Sequence, residues 1–177
     1  DQLPVTILRL GQLYGPSMAY GWTNVIIMIA AGKMKSIGRA DALIHLTYID
    51  DVVSAVKKNI GNEKCRGEIF NICGEQVYKL YEVFDAFAAT LNKPGPKPVP
   101  YLPVYMLSHI LRLIPDFAKP KSLRLLTPHR VKFFRNNSAY DISKAKTYFG
   151  YNPLTNLREG VEKMVEWYLS EYNLGKD

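Results

Sequence analysis

Long hydrophobic runs are missing from this chain. No stretch approaches the roughly 18 consecutive apolar residues that a membrane-spanning helix needs, so none is expected. The first residues, Asp1-Gln2-Leu3-Pro4, lack a basic stretch leading into an apolar one, and no secretory signal is expected either. Cysteine is scarce. Cys65 and Cys73 have neither Cys-x-x-Cys spacing nor a nearby histidine pair, which argues against a zinc ribbon or a disulfide framework and predicts reduced thiols in a cytoplasmic setting. Histidine is as sparse: His45, His109 and His129 stand apart without ligand spacing, so no metal is expected. Acidic residues are absent from one whole stretch. Between Phe117 and Tyr140 lie Lys119, Lys121, Arg124, Arg130, Lys132 and Arg135, with no Asp or Glu. Most of the net charge of +7 sits there. Such a stretch can draw nucleic acid, an anionic membrane surface or a phosphorylated substrate. No nucleic-acid-binding motif accompanies it, so nucleic acid is not expected as a partner, whereas peripheral membrane contact stays open.

What is present reads as an ordered α/β chain. Hydrophobic residues make up 47% and charged residues 22% of 177 positions, with glycine and proline spread along the length, so one compact unit is expected. Val5 to Leu10 is a β-branched and aliphatic run stopped by Gly11, the pattern of a buried parallel strand. Trp22 to Ala31 is apolar nearly throughout and followed by Gly32, as a helix with a glycine past its end would be. Leu43 to Ile49 predicts a strand, with Asp50 capping a helix whose Val52, Val53, Val56 and Ile60 form one face. Glu68 to Cys73 and Leu80 to Leu91 repeat the strand and helix, and the alternation implies a parallel sheet. Five prolines within residues 93–103 exclude regular helix and central strand there. Helices are predicted again over Val104–Ile114, Pro128–Phe134, Ser143–Phe149 and Asn156–Tyr172.

Three strings carry a more specific message: ILRLGQLYGP (7–16), IHLTYIDDVVSAV (44–56), and YDISKAKTYFGYNP (140–153) followed by LREGVEKMVEWYL (157–169). In this order they resemble the second half of an extended short-chain dehydrogenase/reductase, the superfamily of nucleotide-sugar epimerases and dehydratases, hydroxysteroid dehydrogenases and dihydroflavonol reductases. The resemblance implies the last part of a Rossmann-type parallel sheet plus a small mixed α/β substrate-binding domain, with residues 1–93 ending the core and 94–177 forming the lid and closing helices. It also implies NAD or NADP, bound mainly by an upstream half that carries the glycine-rich loop and the catalytic Tyr-x-x-x-Lys pair. No catalytic residue is then expected in this chain. By the same resemblance Leu10, Gly11 and Leu13 border the cofactor and Gln12 offers an amide to the substrate, since strand ends of a doubly wound sheet face the ligand crevice. Leu10 and Gln12 replace the proline and asparagine usual at these places.

The family's nucleotide-sugar enzymes place a phosphate-pairing arginine at the position held here by Ile44, and an aliphatic side chain cannot make that charge-assisted contact. Arg39 or Arg130 can compensate from elsewhere. His45 is the neighbouring candidate for the substrate, against a second reading as a hydrogen-bonded packing residue. Asp141, Gly150 and Pro153 are read as start, end and stop of a short helix. Val104 to Ile114, with Leu123, Leu125, Leu126, Val131, Phe133 and Phe134, falls where the family builds its lid, and an apolar lid favours a lipid-like or sterol-like alcohol or ketone. Core packing explains the same residues without a ligand. The expected function is therefore the substrate-binding part of an NAD(P)-dependent oxidoreductase, inactive alone. A nucleotide-sugar epimerase fragment and a non-catalytic binding module are the alternatives. With sheet neighbours lacking, the Val5–Leu10 edge would be unpaired and self-association through it is expected.

Overall fold

The computed structural model describes residues 5–120, 123–124 and 126–172. In chain order its elements are β1 Ile7–Leu10, β2 Gln12–Tyr14, α1 Trp22–Ala30, β3 Lys35–Ile37, β4 Leu43–Ile44, β5 Leu46–Tyr48, α2 Ile49–Asn59, β6 Ile69–Ile72, β7 Tyr78–Lys79, α3 Leu80–Thr90, β8 Lys97–Val99, α4 Tyr101–Arg112, α5 Pro128–Phe133, α6 Ser143–Phe149 and α7 Leu157–Glu171. Short 3-10 turns occupy Glu63–Cys65 and Asp116–Ala118. The class is α/β, as the alternation of patterns implied.

Three strand pairs are parallel: β1 with β6, β2 with β5, and β3 with β8. The fourth, β4 with β7, is antiparallel. The proline-rich segment contributes β8 as an edge strand, where Pro98 costs no central ladder bond. Against the expectation that it holds no helix, it also contributes the first turn of α4 from Tyr101, where Pro103 lacks an amide that has no partner within the helix anyway. The predicted strand over 43–49 is broken at His45 into β4 and β5. Short strands β2, β3 and β7 were not foreseen, because two or three residues carry no readable period.

Buried side chains form two groups. The larger gathers Tyr14, Trp22, Ile26, Ile29, Leu46, Tyr48, Phe84, Phe87, Met164 and Val165 between α1, α3, α7 and the inner strands. The smaller joins Ala55, Cys65, Phe70, Ile72, Cys73, Ala145 and Tyr151, between β6, α2 and α6. Both cysteines are unpaired and buried, and burial pushes their thiols up.

Helix ends follow local chemistry, with two corrections. Asp50 is not a cap: α2 begins at Ile49 behind Tyr48, which puts Asp50 and Asp51 in the first turn, where carboxylates suit the helix dipole. Asp141 sits one residue outside the cap position, held by Ile142, and still accepts the Ser143 amide at 2.9 Å; hydrogen bonds from Ser143 hold its carboxyl below the usual range. Gly150 closes α6 at φ 64°, in the left-handed region that favours glycine. Asn156 caps α7 by accepting the Glu159 amide at 3.0 Å.

Asp51 ties distant parts together. Buried in α2, it accepts the Leu154 amide at 3.0 Å and so fastens that helix to the segment entering α7. Burial pushes its carboxyl above the usual range, opposed by hydrogen bonds at Leu154 and Thr155. A raised folded value means the native state holds the proton more tightly, so this residue's contribution falls as pH climbs from the unfolded value of about 3.9 through the raised one. Asp51→Asn keeps an oxygen for Leu154. In urea titrations its stability relative to the wild type is expected to be highest near about pH 7 and to decline as pH falls toward about 4. A difference independent of pH would show that the carboxyl is not raised.

Candidate functional site

The site begins where β1 passes into β2. Leu10 is the last residue paired to β6, and after Gly11 the chain changes partner, so that Gln12 faces β5. Gly11 donates its amide to the Ile72 carbonyl at 3.1 Å, and Gln12 donates to the His45 carbonyl at 2.8 Å. A Cβ on Gly11 would lie 2.5 Å from the His45 oxygen, 2.8 Å from Thr47 Oγ1 and 2.9 Å from Cys73 Sγ. No side chain fits there. The glycine lets three backbone segments meet and aims Gln12 and Leu13 away from them.

His45 pins the same junction. Its Nδ1 accepts the Tyr140 amide at 3.2 Å, which assigns the proton to Nε2, and Nε2 then donates to the Gly74 carbonyl at 2.9 Å. The ring is 3% exposed and stacks on Tyr140, with centroids 6.4 Å apart and planes 4° from parallel. Both nitrogens are spoken for by backbone.

Beyond β2 opens a cavity of about 510 Å³. Trp22 and Val25 of α1, Phe84 of α3 and Phe133 and Phe134 near the end of α5 form its walls, with Leu13, Met18 and Met34. Trp22 is held in place by stacking on Phe87, 5.7 Å away and 16° from parallel. Among the described residues, the polar side chains that line the space are Gln12 and Arg130, with the indole of Trp22. Arg130 stands in α5, whose start is fixed by Thr127 accepting the Arg130 amide at 3.4 Å. It makes no ion pair among the described residues. An unpaired guanidinium at the edge of an apolar space can bind a carboxylate or phosphate bidentately.

Of the six residues singled out in the sequence, Gln12, Leu13 and Arg130 meet in this cavity. Leu10 and Gly11 lie immediately upstream, and His45 lies outside its lining. Phe133 and Phe134 of the expected lid do line the cavity, whereas Val104–Ile114 does not, and Leu125 lies outside the described residues. Trp22, Val25 and Phe84 were missed. They fall in the predicted helices, but a helix pattern cannot separate a core wall from a cavity wall.

No family model matches the chain. Relatives do, along nearly its whole length. Sterol-4-alpha-carboxylate 3-dehydrogenase, decarboxylating, of Mus musculus is 30% identical over 178 residues, covering 96% of this chain and 48% of the relative. UDP-glucuronate 4-epimerase 1 of Arabidopsis thaliana is 32% identical over 181 residues, covering 96% of the chain and 38% of the relative. Among solved structures, UDP-glucuronic acid 4-epimerase from Bacillus cereus in complex with NAD superposes with a TM-score of 0.69 at 20% identity, over 96% of this chain and 46% of that one. Along nearly its whole length the chain is thus similar to sterol dehydrogenases and nucleotide-sugar epimerases. It spans about half the length of the curated relatives it matches, and corresponds to their C-terminal part.

The resemblance to short-chain dehydrogenases/reductases invites a search for the Tyr-x-x-x-Lys spacing, and Tyr140 to Lys144 has it. The geometry there is a different one. Tyr140 precedes α6 and leans on His45, while Lys144, inside α6, pairs with Glu68 at 2.6 Å and lies over the rings of Phe70 and Tyr148. The two residues do not share a helix and turn to different neighbours, so this string is architectural.

The crowding at Gly11 gives a direct test. Gly11→Ala is expected to lose about 1–3 kcal/mol of stability, the usual cost of overpacking, in denaturant titration. A variant as stable as the wild type would mean that the junction yields.

Proposed function

We propose that this chain is the substrate-binding part of an NAD(P)-dependent oxidoreductase acting on a carbon that bears a hydroxyl or carbonyl, and that the substrate is a hydrophobic acid. The observation that carries the reading is the cavity itself, mostly apolar among the described residues, with Gln12 and Arg130 as its polar side chains. The body of the substrate packs on Trp22, Phe84 and Phe134, its acid group pairs with Arg130, and Gln12 offers an amide to the oxygen near the reacting carbon. Support comes from the named substrates of two relatives, a sterol carboxylate and a UDP-glucuronate, which share a carboxylate.

Residues 1–93 are read as the end of a Rossmann-type core with substrate-domain strands, and 94–177 as lid and closing helices. NAD or NADP is held mainly by the half of the relatives that this chain does not span. Leu10, 42% exposed at the carboxyl end of β1, and half-buried Leu13 fit the apolar face of a nicotinamide beside Gly11. The dinucleotide supplies or accepts the hydride. This chain's residues exclude water and orient the substrate, and alone it is inactive. His45 acts on the site indirectly, by holding the strand that presents Gln12. Among the described residues β1 is paired only to β6, so self-association through its other edge is expected, seen as oligomers in sedimentation velocity.

A nucleotide-sugar epimerase is the second reading, favoured by the 32% identity to UDP-glucuronate 4-epimerase 1. Against it, Ile44, at the place where such enzymes carry an arginine, is 2% exposed and packed in the core.

Trp22 makes the test direct, because it lines the cavity. In a Trp167→Phe background, its fluorescence is expected to respond to a long-chain 3-oxo acid or a steroid acid and not to a UDP-sugar. Arg130→Ala is expected to weaken binding of the acid about tenfold or more, as loss of a charge-assisted contact of about 1.5 kcal/mol implies. It should leave the matching alcohol unaffected. A response to UDP-glucuronate alone would favour the epimerase.

A further inference from the structure

We infer that the outer face of α4 docks on an anionic lipid bilayer. The helix is built inside out. Its inward side is small and partly polar, with Ser108 1% and Leu111 6% exposed, and Ser108 donates to its own helix at the Tyr105 carbonyl, 2.6 Å away. Its outward side carries Leu102, Met106, Ile110 and Leu113, spaced three and four apart, and Phe117 in the following turn extends the row. These five are 65%, 59%, 58%, 85% and 85% exposed. Among the described residues nothing covers them. Monomers rarely leave so continuous an apolar stripe bare without a use for it.

Charge identifies the occupant. Residues 86–140 hold nine Lys and Arg and a single acid, Asp116, so the excess of the whole chain falls in the segment that contains this helix. At the carboxyl end of α4, Arg112 and Lys119 meet His129 and Thr127 around a hollow of about 570 Å³, beside the stripe. A protein partner's interface core is depleted of lysine. An apolar helical face bordered by cations is the form of an interfacial helix that buries its apolar side at the headgroup boundary of anionic membranes. At 12 residues α4 is too short to cross a bilayer, so it would lie in the plane of the surface. This inference rests on a different face from the cavity and stands independently of the substrate reading.

The test is flotation of the full chain with vesicles of phosphatidylcholine and phosphatidylserine, and with phosphatidylcholine alone. Recovery with the anionic vesicles is expected to exceed that with neutral ones at least tenfold and to fall as salt is raised. Leu113→Asp with Phe117→Asp is expected to abolish recovery, and Arg124→Glu with Lys132→Glu to remove only the preference for the anionic lipid. Circular dichroism and thermal melts should match the wild type, because all four side chains are exposed. Absence of flotation with either vesicle would overturn the proposal, as would binding that the Leu113 and Phe117 substitutions leave intact. So would an oligomer that those two substitutions dissociate, which would make a second copy the occupant.

Discussion

Much of this chain's geometry depends on one close approach, that of the Gly11 backbone to His45, Thr47 and Cys73. There β1 stops pairing with β6 and β2 starts pairing with β5, while Thr47 Oγ1 donates to the Ile72 carbonyl at 3.0 Å and the Gly74 amide to the Leu46 carbonyl at 2.7 Å. These bonds draw the ends of β5 and β6 together over the glycine. His45 adds the third dimension by reaching the Gly74 carbonyl with one nitrogen and the Tyr140 amide with the other. An imidazole between an acceptor and a donor can do this only as the Nε2-protonated tautomer. One buried ring thus joins three segments far apart in sequence, which is why a residue that looks chemical reads better as a clamp.

Everything that lines the cavity is displaced from this junction by one or two residues or by one helix. Gln12 and Leu13 leave the crowded point in the only direction open to them. Facing them, α1 and α3 are locked by aromatic contact, Trp22 with Phe84 at 6.4 Å and with Phe87 at 5.7 Å, and Phe84 with Phe134 at 6.0 Å. Each such pair adds about 0.5–1.5 kcal/mol beyond area burial. Aromatic walls therefore serve twice, holding the helices together and leaving a rigid apolar space. On that background Arg130 is the one charged group on the described lining, so few other polar groups compete for an acid there.

Long periodic helices were readable from residue order because their burial follows from a repeat: α6 falls on Ser143–Phe149 as expected, and α1, α3 and α7 differ by a residue at their ends. The short strands β2, β3, β7 and β8 were not, since their existence depends on a distant partner. The break at His45 was equally hidden. It follows from a carbonyl turned toward Gln12 and a ring turned toward Gly74, and neither has a local signal. At the candidate site, Gln12 and Leu13 were legible because a strand end is recognisable by its place in a motif, whereas Arg130 was singled out only as a cation that could reach the substrate from elsewhere. Trp22 and Phe84 were not, because a cavity wall and a core wall share one periodicity.

The amphipathicity of α4 shows the same limit in reverse. Met106, Ile110, Leu113 and Ile114 share a face by spacing, which alone suggests an inward one, yet they point out, while Val104, Ser108 and Leu111 are the more buried. Energetics explain why this cannot be incidental. Burying one large apolar side chain is worth about 1.5–3 kcal/mol, so five left bare forgo roughly 7–15 kcal/mol, comparable to the whole stability of a typical domain. The apolar side of α4 therefore faces outward, and among the described residues nothing covers it.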